Sequence, residues 1–366
     1  MGVDERAVKT DADAVTRRSS GRRPRRRLAV DLTALSLVGV LLLGAIGAAT
    51  VTVYRDLYSP GAFVTRYIDL LSQGRVPEAL ALPGVPIDST ELTKAGLPAD
   101  ASEALLRRAA LAPLSDVAVV GEREEADGTA AVTVSYQAGP HRGTSTFRVE
   151  RAGWVGLAPT WRFAQSPLAV IDLTLRGATA FSVNGFALDT RQVSPDREKA
   201  DPLKPVAMLV FSPGLYSISV DTPVSTSAGV AVLSDSPQAE VPVDIQTQPT
   251  TTFVEVVQDR VESFLTACTT QQVLQPTGCP FGLQVRNRIL EPPVWSMVTQ
   301  PAIALQPNGA GWAIVPADAV AHVVVDIKSI FDGTVRHVDE DVPFRVGGTI
   351  TMLPDGTASI QVEPAS

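Results

Sequence analysis

The sequence predicts an α+β protein: an N-terminal transmembrane helix, then an α+β domain, a β-sandwich domain and a second helix-plus-antiparallel-sheet domain. Three observations predict it. Residues Leu32 to Tyr54 form an uncharged apolar run of 23. Helical apolar spacing then appears twice, near residue 60 and near residue 253, each time followed by alternating stretches with a period of two. Turn residues punctuate everything between, with 27 Gly and 28 Pro in 366 residues. At roughly 100–200 residues per domain, this length suits two or three domains.

The apolar run is long enough for a transmembrane helix, which needs about 20 residues to cross a hydrocarbon core of about 30 Å. Its flanks orient it. The arginines at 17, 18, 22, 23, 25, 26 and 27 lie close before it, and Arg55 is the one close basic residue after it. By the positive-inside rule the N-terminus is cytoplasmic and everything after residue 54 is extracytoplasmic, in a plasma membrane crossed once. The rival is a cleaved signal peptide, with Ala45-Ile46-Gly47 imitating a cleavage site; its apolar region should be about 7–15 residues, shorter than this one. Gly44 and Ala48 have the spacing that lets two helices approach closely, a candidate homodimer face, set against the general frequency of small residues here.

Charge divides the same way. Residues 1–27 carry nine basic and four acidic residues, net +5, and read as a disordered tail; the remainder carries 22 basic and 35 acidic residues, net −13. An acidic body without a basic run excludes nucleic acid as the expected partner. Of the 31 basic residues only five are lysines, a codon bias rather than a functional signal.

The predicted partition is 1–27 tail, 28–54 membrane helix, 55–165 α+β domain, 166–249 β-sandwich and 250–366 second α+β domain. In the first outer domain Phe63, Val64, Tyr67, Ile68, Leu70 and Leu71 make one apolar helix face, ended by Gly74 and Pro77. A second helix is expected from Ala101 to Leu111, capped by Asp100 or Ser102. Strands follow at Leu114–Arg123, Thr129–Gln137, Thr144–Arg151 and Thr160–Phe163, with Asp127-Gly128 as a hairpin turn. This plan resembles NTF2-like or cystatin-like domains of bacterial envelope proteins, on the helix Phe63–Leu71, the Asp127-Gly128 hairpin and the closing Trp161-Arg162-Phe163. That fold hosts both enzymes and binding modules, so the resemblance implies an architecture and no single activity.

Strands are next expected at Ala169–Leu175, Ala180–Val183, Val206–Phe211, Tyr216–Asp221, Val230–Leu233 and Val241–Ile245, with a loop at Asp189–Pro205. The Val183-Asn184-Gly185 turn and Ser212-Pro213-Gly214-Leu215-Tyr216 resemble the small β-modules of PEGA or TcaA type. The last domain opens on a helix with Phe253, Val256, Val257, Val261, Phe264 and Leu265, followed by strands near Val294–Leu305, Trp312–Val315, Ala319–Ile327, Val342–Met352 and Thr357–Val362. Asp355-Gly356-Thr357 repeats the Asp127-Gly128-Thr129 turn, which suggests two similar α+β domains flanking a β-domain; Asp-Gly hairpins are also common by chance. The whole chain is similar to single-pass envelope proteins of high-GC Gram-positive bacteria.

Cys268 and Cys279, the two cysteines, are expected to form a structural disulfide outside the membrane. His141, His322 and His337 show no metal-ligand spacing and read as surface or turn residues; no metal or cofactor is expected. No nucleophile elbow, zinc helix, phosphate loop or calcium loop is found. Glu122, Glu124 and Glu125 read as a solvated face rather than an acid–base pair. The pairs Trp154 with Trp161 and Trp295 with Trp312 are candidates to line a cleft, weighed against core packing.

The resulting expectation is a membrane-anchored binding or scaffolding protein of the cell envelope, not an enzyme, whose partners are the lipid bilayer and an envelope protein or cell-wall component. One alternative is a sensor that signals through its tail, with phosphorylation at Thr10, Thr16, Ser19 or Ser20 weakening attraction to anionic lipid. The other is an NTF2-like enzyme with an unrecognised pocket within residues 57–165, where the strands offer little beyond Tyr136 and His141 near one end.

Overall fold

The computed structural model describes residues 33–41, 57–156, 158–353 and 357–365. The chain separates into two units, 1–57 and 58–366. In the first, residues 33–41 are helical. The expected tail, and the rest of the expected membrane helix, lie outside the described residues. Among the described residues no helix is long and apolar enough to cross a membrane.

The second unit is mixed α+β with several sheets. It opens on helix α1 (Pro60–Ser72), which contains the predicted apolar face Phe63–Leu71. The Ser59 side chain accepts from the Ala62 amide, and Pro60 occupies the first turn, where its missing N–H costs nothing. Its buried face carries Val64, Tyr67, Ile68 and Leu71, each contributing about 1.5–3 kcal/mol by burial. Two short helices follow, α2 (Val76–Leu80) and α3 (Ser89–Lys94). The second has a capping box between Asp88 and Glu91. The expected helix 101–111 is instead two 3-10 turns, Glu103–Leu105 and Arg108–Ala110. The reason is competition for its backbone: the Ser102 amide donates to Ala207 O, and Ser102 O accepts from the Leu209 amide, so strand pairing takes the place of a first helical turn.

Four antiparallel strands then form a simple meander: β1 (Leu114–Glu124), β2 (Ala130–Ala138), β3 (His141–Val155) and β4 (Ala158–Phe163). The Asp127 carboxylate fixes the first hairpin by accepting from the Thr129 amide and hydroxyl, at 3.0 and 2.7 Å. One face of the meander, with Val132, Val134, Phe147, Val149 and Phe163, packs under α1. Tyr67, Phe147 and Phe163 meet there edge to face, with centroids 5.2–6.1 Å apart.

The region after residue 166 holds β5 (Leu168–Arg176), β6 (Ala180–Val183), β7 (Phe186–Asp189), β8 (Val206–Phe211), β9 (Gly214–Ser219), β10 (Ser225–Thr226), β11 (Val230–Ser234), β12 (Glu240–Gln246) and β13 (Gln248–Pro249). These make a four-stranded sheet, β11-β9-β6-β7, a three-stranded sheet, β12-β5-β8, and the small pair β10-β13. β12 runs parallel to β5, a pairing no local pattern announces. The expected loop 189–205 contains helix α4 (Thr190–Val193) and a 3-10 turn, Arg197–Lys199. Asp189 organises this piece. Its carboxylate accepts from the Arg191 amide and guanidinium and from the Thr179 hydroxyl, and these bonds, the Arg191 side chain first, hold it below the usual carboxylate range.

β5 is buried on both faces. Leu168 and Val170, with Leu209 and Phe211 of β8, join the core beneath α1. Ala169, Ile171, Leu173 and Leu175 join a second core with Phe181, Val183, Tyr216 and Ile218. Tyr67 crosses between regions: its buried hydroxyl donates to Ser212 O at 3.1 Å.

Helix α5 (Thr251–Thr269) is capped by the Thr250 hydroxyl, which accepts from the Phe253 amide. It covers a six-stranded sheet made of β14 (Arg288–Ile289), β15 (Val294–Thr299), β16 (Leu305–Asn308), β17 (Gly311–Lys328), β18 (Val335–Met352) and β19 (Ala358–Pro364). Two expected strands, Trp312–Val315 and Ala319–Ile327, are one 18-residue strand; the apparent break at Pro316 is a bulge between Ile314 and Ala317. β14, β15 and β16 all pair along β17, so this sheet is not a second copy of the first meander. Asp355-Gly356, half of the suspected repeat, lies outside the described residues. Trp312 packs close to Gly177, where a Cβ would lie 3.0 Å from its ring.

Gly84 makes the tightest backbone approach beside the first sheet. Its φ is +82°, and an added Cβ would fall 2.2 Å from Phe163 O. Gly84→Ala is expected to lose more than about 2 kcal/mol of stability through strain and backbone displacement, read as a lower midpoint in denaturant unfolding.

Candidate functional site

The long hairpin of β17 and β18 carries the most distinctive surface. Residues 329–334 connect the two strands, and at their apex Phe331 is 98% exposed and Ile330 77% exposed. This apolar tip is held by polar residues around it. The Ser329 amide donates to Thr334 O at 2.8 Å, and the Gly333 amide to Ser329 O at 3.1 Å. The Ser329 hydroxyl accepts from the Phe331 amide at 3.2 Å. The Asp332 carboxylate accepts from the Thr334 amide and hydroxyl at 3.1 and 2.8 Å. Hydrogen bonds from the Ser329 and Thr334 hydroxyls hold the Asp332 carboxyl below its ordinary range. An exposed aromatic on an ordered turn loses little freedom when it enters a partner's pocket, the property that makes such residues binding anchors.

Below the tip the same hairpin aligns charged residues on its outer face. His322 lies opposite Asp341, and Asp326 opposite His337. His322 Nδ1 is 2.8 Å from Asp341 Oδ1 and its Nε2 3.2 Å from Asp339 Oδ1; His337 Nδ1 is 2.7 Å from Asp326 Oδ1. Ser296 of β15 is also in register with His322, so serine, histidine and aspartate form a row across three strands. The row does not have the geometry of a nucleophilic triad. There, one imidazole nitrogen takes the serine proton while the carboxylate holds the other. Here carboxylates engage both nitrogens, and Ser296 is exposed on an open sheet face. The arrangement ties β17 to β18 beneath the tip. Sequence reading missed it because the partners are 19 and 17 residues apart and meet only through strand register.

Cys268 and Cys279 form the expected disulfide, with Cα atoms 5.9 Å apart. It closes the loop that leaves the end of α5. Gln271 stitches that loop as well, accepting from the Thr277 amide and donating to Thr277 O. Phe281, just beyond it, packs on Trp295 and Phe344 at 5.1 Å each.

The other sequence candidates are dispersed. Among the described residues no group of three or more His, Cys, Asp or Glu is placed to hold a metal. Glu125 sits 3.5–3.6 Å from Arg123 and Arg148, while Glu122 and Glu124 are exposed on β1. Trp295 and Trp312 are buried core residues. Trp161 is half-buried, and Trp154 stands on the surface. Tyr136 lies across Gly143 on the neighbouring strand, and His141 is exposed at the hairpin end, so the two do not converge on a pocket.

Comparison with family models, with curated proteins and with solved structures finds no match to this chain.

Two measurements follow from these contacts. Cys279→Ala is expected to cost about 2–3 kcal/mol of stability on the chain-entropy model for a short closed loop, read in denaturant unfolding without reductant. At the tip, Asp332 has a lowered pKa, so its contribution to turn order is present above the unfolded carboxylate value and is lost as pH falls through the lowered one. Thr334 amide exchange should therefore stay protected through the ordinary carboxylate range and lose protection only in stronger acid. In Asp332→Asn that acid transition should disappear.

Proposed function

We propose that this is a membrane-anchored extracytoplasmic binding protein of the bacterial cell envelope, which captures an envelope partner through the Ile330–Phe331 hairpin tip. The observation that carries the binding role is Phe331, fully exposed on a turn fixed by Ser329, Asp332 and Thr334. Support for the placement comes from the uncharged run Leu32–Tyr54 with its arginine-rich leading flank. The Cys268–Cys279 disulfide suits an oxidising compartment on the outer side.

In this reading residues 55–165 are an NTF2-like module, supported by α1 laid over a four-stranded meander. Residues 166–249 are a β-sandwich, supported by two sheets sharing one core. Residues 250–366 are a helix-plus-sheet module that presents the tip. The anchor makes the bilayer a partner and the tip selects a protein or cell-wall component.

Topology and binding are tested separately. With tags at both ends, protease added outside intact cells should remove the C-terminal tag and spare the N-terminal one; the reverse pattern overturns the placement. Phe331→Ser should leave the melting temperature unchanged and abolish the crosslinks to envelope partners seen with the unaltered chain. An unchanged crosslink pattern would show that the tip is not the binding element.

A further inference from the structure

A second set of exposed apolar residues belongs to the first sheet and to the first residue of the unit that begins at Tyr58. Trp154 and Val155, at the turn between β3 and β4, are 58% and 72% exposed. Val119 and Val120 of β1 and Tyr58 itself are exposed too. Contacts draw Trp154, Trp161 and Tyr58 together. The Trp161 indole N–H donates to Tyr58 O at 2.9 Å. The Arg151 guanidinium lies over both indoles, 5.1 Å from the Trp154 ring centre and 5.6 Å from that of Trp161. On the other side of the helix start, a Cβ at Gly61 would lie 3.5 Å from Val119 Cγ2. The start of α1 is therefore flanked by apolar side chains from both edges of the first sheet.

We infer that this surface rests on the phospholipid bilayer, with Trp154 and Val155 entering the boundary between headgroups and acyl chains. The inference rests on the membrane-anchor reading of Leu32–Tyr54. Tyr58 follows Tyr54 by four residues, and four residues fully extended reach at most about 14 Å. That tether holds Tyr58, and with it Trp161, close to the headgroup layer whatever path the chain takes. Indole and phenol rings favour this layer, where the ring body is sheltered and the N–H or O–H stays wet. The Arg151 guanidinium, held over the two indoles, supplies a cation for a lipid phosphate at the same depth. Glu122, 3.0 Å from the Cβ position of Gly61, opposes attraction to anionic lipid, so the contact is chiefly apolar.

The test uses the full chain reconstituted in phosphatidylcholine vesicles, with and without bromine on the acyl chains. Flotation after alkaline carbonate washing reads the anchor. Bromine quenching of tryptophan emission reads the contact, and Trp154→Phe identifies which residue gives it. The unaltered chain should float and be quenched, and Trp154→Phe should float and lose most of the quenching. Val155→Asp, at an exposed position, should float with Trp154 emission shifted to longer wavelength and its quenching lost. Flotation with no bromine quenching, or quenching that survives Trp154→Phe, overturns the contact and leaves the anchor standing. Trp154 shielded from water in a dimeric chain, without quenching, assigns the surface to a second copy and also overturns it. A chain that does not float removes both readings.

Discussion

The burial of β5 on both faces constrains the rest of the unit that begins at Tyr58. A strand with one wet face can be capped by a single layer; β5 needs two. Its even-numbered residues Leu168 and Val170 are covered by α1 and the first meander, and its odd-numbered residues by the sheet containing β6 and β9. Neither layer can be removed without exposing apolar surface of the other. The segment around Ser102 reinforces this by pairing with β8 in between. Tyr67 adds a directional tie, since its buried hydroxyl would be costly to leave unpaired and Ser212 O is the acceptor within reach.

This arrangement explains which parts of the fold were legible in the sequence. α1, α5 and the four-strand meander carry periodic apolar residues with turn signals at their ends, and they appear close to where the pattern placed them. The run Ala169–Leu175 announced a strand but neither its burial nor what would cover each face. The parallel pairing of β12 with β5 depends on residues about 70 positions apart and leaves no local trace. Pro316 misled in the other direction, because a proline in a bulge interrupts a pattern without interrupting a strand. The 101–111 segment failed for a related reason: its caps and propensities are local, whereas the bonds that claimed Ser102 are not.

The candidate site divides in the same way. The Cys268–Cys279 pair was legible because the chain has only two cysteines and they lie at short separation. Asp332-Gly333 is a turn signal in the sequence, yet it does not announce the prominence of Phe331, because an apolar residue beside a turn looks the same whether it folds back or stands out. The pairing of His322 with two aspartates required the strand register, which a sequence offers only through pattern and turn length. Histidines that look isolated along the chain are then neighbours across it.

The paired 18-residue strands β17 and β18 have a mechanical consequence. At about 3.3 Å per residue they extend roughly 60 Å from the Phe331 apex toward the opposite edge. A load on the apex, directed along the strands, would act in shear on the hydrogen bonds to β15, β16 and β19, so many bonds share it at once. A load across the strands would open those bonds one after another. The hairpin is thus stiff to traction in one direction and yielding in the other, a polarity set by the direction in which its strands are paired.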